Sequence, residues 1–280
     1  VIMIELYHKI SIDASKNVAQ LYSTSFSMGI KLLDKNIHDA IFSIYGFVRL
    51  ADEIVDTFHD YPKSEMLQEF KEETYKALDR KISVNPILHA FQMVVNKYSI
   101  DRDLIDKFLL SMEQDLNDIQ YSSNGYKEYI VGSAEVVGLM CLKVFVNGDN
   151  DLYFKLEEPA RKLGAAFQKI NFLRDVKVDF QELGRTYFPG VDLEKFTPDE
   201  KLKIEEDIQD DFECALEGII KLPSSSRLGV YVAYRYYFSL FKKIKKVSSD
   251  RLMEERIRVP NTKKLLITFE SMFQNQFNWI

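Results

Sequence analysis

Residues 37–56 read IHDAIFSIYGFVRLADEIVD. Ile37, Ile41, Ile44, Val48, Ala51 and Val55 recur at spacings of three and four, the pattern of an amphipathic helix that packs one face on a core. With residues about 100° apart around the helix, Tyr45, Arg49, Asp52 and Asp56 fall within an arc of roughly 60° beside the apolar row. A second run, residues 168–179, reads QKINFLRDVKVD. There Gln168, Asn171, Asp175 and Asp179 share an arc of roughly 80°, with Arg174 on the flank.

Further helical tracts cover residues 101–120, 126–146, 151–180, 198–221, 226–246 and 263–278. Ser64 ahead of EMLQEF and Asn85 ahead of Pro86 mark helix starts, and Gly and Pro in ELGRTYFPG (residues 182–190) end the second aspartate helix. No tract alternates with period two, and no linker divides the chain. The expectation is an all-α helical bundle, one domain over residues 1–280. Only 11 glycines and 7 prolines interrupt it, as long helices require.

A net charge of −6 argues against a nucleic-acid binder, which gains affinity from excess Lys and Arg. Cys141 and Cys214 lie far apart without zinc spacing, which points to a reduced, cytoplasmic setting. His8, His38, His59 and His89 form no ligand pair in sequence, so zinc and histidine triads have little support. The opening residues do not read as a secretion leader, so a protein that is not secreted is the expectation, and the oiliest run, residues 136–146, carries Lys143 and is too short to span a bilayer. Peripheral membrane contact stays open, and oligomeric state is not legible.

Carboxylates four residues apart look the same way and can share one divalent cation. Acid pairs at this spacing are also common on solvated faces, and IEEDIQDDFE (residues 204–213) is read as such a surface. The two aspartate helices differ in their oily neighbours: Asp52 and Asp56 sit among Phe47, Val48, Ile54 and Val55, and Asp175 among Phe172, Leu173 and Val176. Like charges there are unfavourable unless a cation compensates. Salt bridges to Arg49 and Arg174 are the competing explanation. Magnesium prefers oxygen ligands and is typically held by one or two carboxylates plus substrate phosphates, so the pattern suits a magnesium and diphosphate site. Arg49, Arg174 and Arg185 would then stabilise a departing diphosphate. The carbocation left behind needs a dry aromatic cavity, which 20 Phe and 15 Tyr can line, although such richness is commonly ordinary core.

Four blocks, YSTSFSMGIKLL, SIYGFVRLADEIVD, GAAFQKINFLRDVKVDFQELGRTYFP and EERIRVP, resemble in order and spacing those of the squalene/phytoene synthase family, in particular its bacterial phytoene synthases. The resemblance covers almost the whole chain. It implies a class I terpenoid-synthase fold with a central cavity and head-to-head condensation of two prenyl diphosphates. Asp52, Asp56, Asp175 and Asp179 would carry catalysis as ligands, with Asn171, of Mg2+, or Mn2+ in its place. Ser25, Tyr45, Arg49, Gln168, Arg174 and Arg256 would hold the diphosphates, and Phe26 and Tyr237 would wall the isoprenoid channel. One departure stands out. Many relatives carry a tyrosine credited with catalysis where YIVGSAEVVG has Val131 and Gly132, and Gly where it has Glu135, so Tyr129 is the nearest substitute.

The leading expectation is geranylgeranyl diphosphate as substrate, a cyclopropyl diphosphate intermediate and phytoene as product, without NADPH. Squalene or dehydrosqualene synthesis from farnesyl diphosphate is the nearest rival. A chain-elongating prenyl transferase fits less well, because the second motif lacks paired leading aspartates. From another class, an inactive helical scaffold for a pathway partner is the alternative. Cytoplasmic residence with loose membrane association follows from the oily product.

Overall fold

The computed structural model describes residues 2–116, 122–181, 187–191 and 193–276, apart from the side chains of residues 2, 24, 178–181, 194 and 276. It is all-α, with no strand among the described residues. After α1 (Ile2–Tyr22) and α2 (Thr24–Ile30), the apolar-periodic run 37–56 lies in α3 (Lys35–Asp56). Asp34 caps it by accepting from the Asn36 N–H at 2.9 Å. Phe47 of α3, fully buried, stacks on Phe91 of α5 (Pro86–Tyr98) at 3.8 Å and meets Phe108 of α6 (Arg102–Gln114) at 5.4 Å. These ring contacts lock three helices around one point of the core.

Asn85 caps α5 as expected, accepting from the Ile87 and Leu88 N–H groups, with Pro86 in the first turn. Ser64 does not cap α4 (Lys63–Arg80): the helix starts one residue earlier, and no side chain caps it. Pro62 takes the N-cap position with φ of −73° and ψ of 72°, outside the helical region, and the helix begins at the next residue, before Ser64 is reached.

A continuous helical stretch then runs through α7 (Ser123–Ile130), a π-helical segment (Val131–Glu135) and α8 (Val136–Val146). Its 24 residues are long and apolar enough to cross a membrane, so the oily segment is longer than residues 136–146 suggest. More than half of the window is buried, and α8 packs against α3, α6 and α9 (Asn150–Gln181). Its oiliness therefore serves the bundle core. Gly164 of α9 allows close approach: a Cβ there would lie 2.6 Å from the Ala134 carbonyl oxygen of the π segment.

α10 (Pro198–Ile219) packs along α9, α11 (Ser224–Ile244) joins α2, α9 and α10, and α12 (Ser249–Leu252) leads to α13 (Asn261–Gln276) on the outer side of α11. The acid-rich run 204–213 is not simply surface. Asp211 is buried beneath Lys169, whose Nζ lies 2.6 Å from Asp211 Oδ2, and Lys162 Nζ lies 3.0 Å from Oδ1. Lys169 also reaches Asp207, and Glu205 is buried against Lys201. Cations from the neighbouring helix compensate a charge that sequence spacing alone assigns to solvent. Folding also pairs two histidines that are distant in sequence: His8 Nδ1 lies 2.8 Å from His89 Nε2, at the packing of α1 on α5.

Candidate active site

Both polar stripes line one cavity of about 640 Å³. α3 contributes Tyr45, Val48, Arg49, Asp52 and Asp56, and α9 contributes Phe167, Gln168, Asn171, Arg174 and Asp175. The stripes are linked through Tyr237 of α11, which donates to Asn171 Oδ1 at 3.5 Å and lies close enough to Tyr45 to influence its titration. Behind them the wall turns apolar, with Phe26 of α2, Val137, Cys141 and Phe145 of α8, and Leu163 of α9. Phe26 packs on Tyr45 at 5.0 Å, and Phe167 stacks on Tyr237 at 3.9 Å. Burial raises the pKa of the Tyr45 phenol and the Cys141 thiol to about 12 each and pushes Tyr237 upward as well. All three stay protonated at neutral pH, so the wall carries neutral groups.

The two aspartates are balanced differently. Asp175 is gripped by guanidinium groups, Arg174 Nη2 at 2.6 Å from one carboxylate oxygen and Arg256 Nε at 2.6 Å from the other. Arg49, in contrast, makes its short contact to Glu53 at 2.5 Å and stands 3.8 Å from Asp52. Burial first, then the neighbouring Asp56, raise the Asp52 pKa to about 8, with Arg49 opposing and Asp115 adding to the rise. The side chain keeps 32% of its accessibility, so cavity water relieves part of that penalty. A carboxylate short of positive charge beside a second one is the donor chemistry a divalent cation satisfies. Among the described residues no three acidic, His or Cys side chains gather as a complete protein-made metal site, but Mg2+ completes its shell with water and phosphate oxygens.

Because the folded-state pKa of Asp52 is raised, the stability it contributes is complete below about 4 and is lost as pH climbs toward 8. The metal-free protein should therefore unfold at lower temperature as pH rises from 5 to about 9. Mg2+ with inorganic diphosphate should release a proton at pH 7, read by calorimetry in buffers of different ionisation enthalpy. No release, or equal release from Asp52→Asn, would contradict the assignment.

Ser25 is half-buried on α2 and is not among the lining residues, whereas Ser23, one turn boundary earlier, is. Arg256 lines the cavity from the loop after α12. The side chain of Asp179 and the whole of Arg185 lie outside the described residues. Asp115, buried at the end of α6, joins the cavity without having been anticipated and accepts from the Tyr129 hydroxyl at 2.9 Å. Tyr129 lines the cavity as well, stacked on Tyr187 at 5.7 Å, and Tyr187 lies flat on Phe172 at 3.9 Å. In sequence Asp115 sits in SMEQDLNDIQ and looks like one more solvated acid; no local signal distinguishes it.

Comparison with known proteins gives consistent matches. A family model described as squalene/phytoene synthase matches residues 19–263. A 4,4'-diapophytoene synthase of Staphylococcus haemolyticus is 23% identical over 265 residues, covering 87% of this chain and 90% of that protein. A phytoene synthase of Arthrospira platensis is 25% identical over 282 residues, covering 91% and 90%. Among solved structures, a dehydrosqualene synthase in complex with ligand superposes with a TM-score of 0.81 at 19% identity, covering 96% of this chain and 98% of the other.

Proposed function

This chain belongs to the squalene/phytoene synthase family of head-to-head condensing prenyltransferases, and from that premise we propose that it joins two molecules of geranylgeranyl diphosphate into phytoene. The observation that carries the reading is a single cavity in which two aspartate-bearing polar stripes meet an aromatic, apolar wall. We assign the whole chain to one domain, the diphosphate end to Asp52, Asp56, Asn171, Asp175 and Asp179 as ligands of Mg2+, which Mn2+ can replace, and the reaction to the cytoplasm. The bound cation would neutralise charge on the diphosphate oxygens.

The protein's own groups do the rest. Arg49, Arg174 and Arg256 line the cavity with guanidinium groups that can pair with diphosphate oxygens, as can Arg185 by the family pattern. Ser25 and Gln168 belong to the same diphosphate end by that pattern. The first ionisation breaks a C–O bond, and the diphosphate departs with the electron pair. The double bond of the second substrate attacks the cation, and proton loss closes a cyclopropyl diphosphate. A second ionisation and rearrangement end in another proton loss, which leaves a hydrocarbon. Phe26, Tyr45, Phe167 and Tyr237 line the cavity with aromatic rings, which would stabilise the cations and exclude water. The raised pKa values of Tyr45, Tyr237 and Cys141 keep phenolate and thiolate nucleophiles out of reach of those cations.

A second reading, with farnesyl diphosphate as substrate, is favoured by the likeness to the 4,4'-diapophytoene synthase and the dehydrosqualene synthase. Incubation with Mg2+ and labelled geranylgeranyl or farnesyl diphosphate, with and without NADPH, separates the two by chromatography of the product. The expected result is phytoene from geranylgeranyl diphosphate at a rate indifferent to NADPH. Faster use of farnesyl diphosphate would establish the second reading, and an NADPH-dependent product reduced at its central bond would overturn the first. Absence of both turnover and Mg2+-dependent thermal stabilisation by a prenyl diphosphate would leave a scaffold.

A further inference from the structure

α13 is amphipathic the wrong way round for a core helix. Its inward side carries Ile267, Thr268 and Ser271, with Thr268 bonded to Tyr236 and Ser271 to Arg235. Its outward side carries Leu265, Leu266, Phe269, Met272 and Phe273, within an arc of roughly 120°. Phe269 is 68% exposed and Leu266 57%. Scattered exposed apolar residues need no explanation, but a contiguous row of this kind marks an interaction surface.

The surroundings specify the partner. Residues 242–264 hold nine Lys and Arg against three acids, in a chain of net charge −6, and every one of those cations except the half-buried Lys264 is exposed. The basic segment is continuous with the helix and with the active site. Lys243 Nζ donates to the Arg258 carbonyl at 2.7 Å, and burial together with the nearby Arg174 and Arg258 lowers the Lys264 pKa. Arg174 and Arg256 both line the cavity. We propose that the outer face of α13 and the basic segment before it dock on an anionic lipid bilayer, which brings the cavity to the membrane surface. A second copy of the chain would have to bring the same positive segment against its twin in a two-fold interface, and that repulsion disfavours self-association through this face. An apolar helix face beside a cluster of Lys and Arg is instead what an anionic membrane surface selects.

The test is flotation of the full chain with vesicles, and it reads lipid binding independently of turnover. The chain should float with vesicles of phosphatidylcholine and phosphatidylglycerol, less with phosphatidylcholine alone, and less again at high salt. Leu266→Glu with Phe269→Glu should reduce partitioning by at least about tenfold with an unchanged melting temperature. Lys246→Glu with Lys263→Glu should reduce it on anionic vesicles only. Failure to float, or flotation untouched by the α13 substitutions, overturns the inference. So does a lipid-free dimer, seen by sedimentation, that those substitutions dissociate.

Discussion

Asp52→Asn should slow turnover by about a thousandfold or more, equivalent to about 4 kcal/mol of barrier, and leave the fold intact. The metal-free variant should be as stable as the parent or more so above pH 7. Its amide removes a charge that burial and Asp56 disfavour, as the raised Asp52 pKa records. Asp175→Asn should share the loss of activity but not the gain in stability. That carboxylate holds Arg174 and Arg256 at 2.6 Å each, and its neutralisation takes its charge away from both guanidinium groups. Thermal melts of both variants without metal, beside single-turnover rates with Mg2+, check the pair. Equal stability shifts of one sign would mean that the two aspartates are not in the contrasting environments described, and full activity in either would remove it from the site.

Gly164→Ala is expected to be damaging out of proportion to its size. The added carbon would stand 2.6 Å from the Ala134 carbonyl oxygen and 3.2 Å from the Glu135 Cα, both backbone atoms of the π segment. Backbone cannot step aside as a flexible side chain can, so α9 and the π segment must separate, at a cost of about 1–3 kcal/mol. Since α9 carries Gln168, Asn171, Arg174 and Asp175, the shift should also reduce turnover beyond what the loss of folded protein explains. Urea unfolding gives the first quantity, and turnover per folded molecule gives the second. An unchanged unfolding midpoint would show that the helices accommodate the carbon and that Gly164 is not needed for their approach.

The sequence makes much of this site legible because a helical stripe is a local property. Tyr45, Arg49, Asp52 and Asp56 share a face by virtue of their spacing alone, wherever α3 packs, and they do line the cavity together. Gln168, Asn171 and Asp175 of the second stripe behave likewise, and Arg174, on the flank by its helical angle, still reaches the cavity because a long guanidinium side chain bends to Asp175. Caps are less readable: Asn85 holds its helix start, whereas at Ser64 a proline two residues earlier takes precedence.

What spacing could determine for this chain is its helical period, the two aspartate rows and the oily helix 136–146, since each depends on residues within one or two turns. Which acids are buried was decided only when helices met. Asp211 lies beneath Lys169 and Lys162 of another helix, and Asp115 reaches the cavity through the Tyr129 hydroxyl. His89 finds His8 across eighty-one positions. Solvation and charge compensation are set by neighbours in space, and those neighbours come from elements far away in the chain.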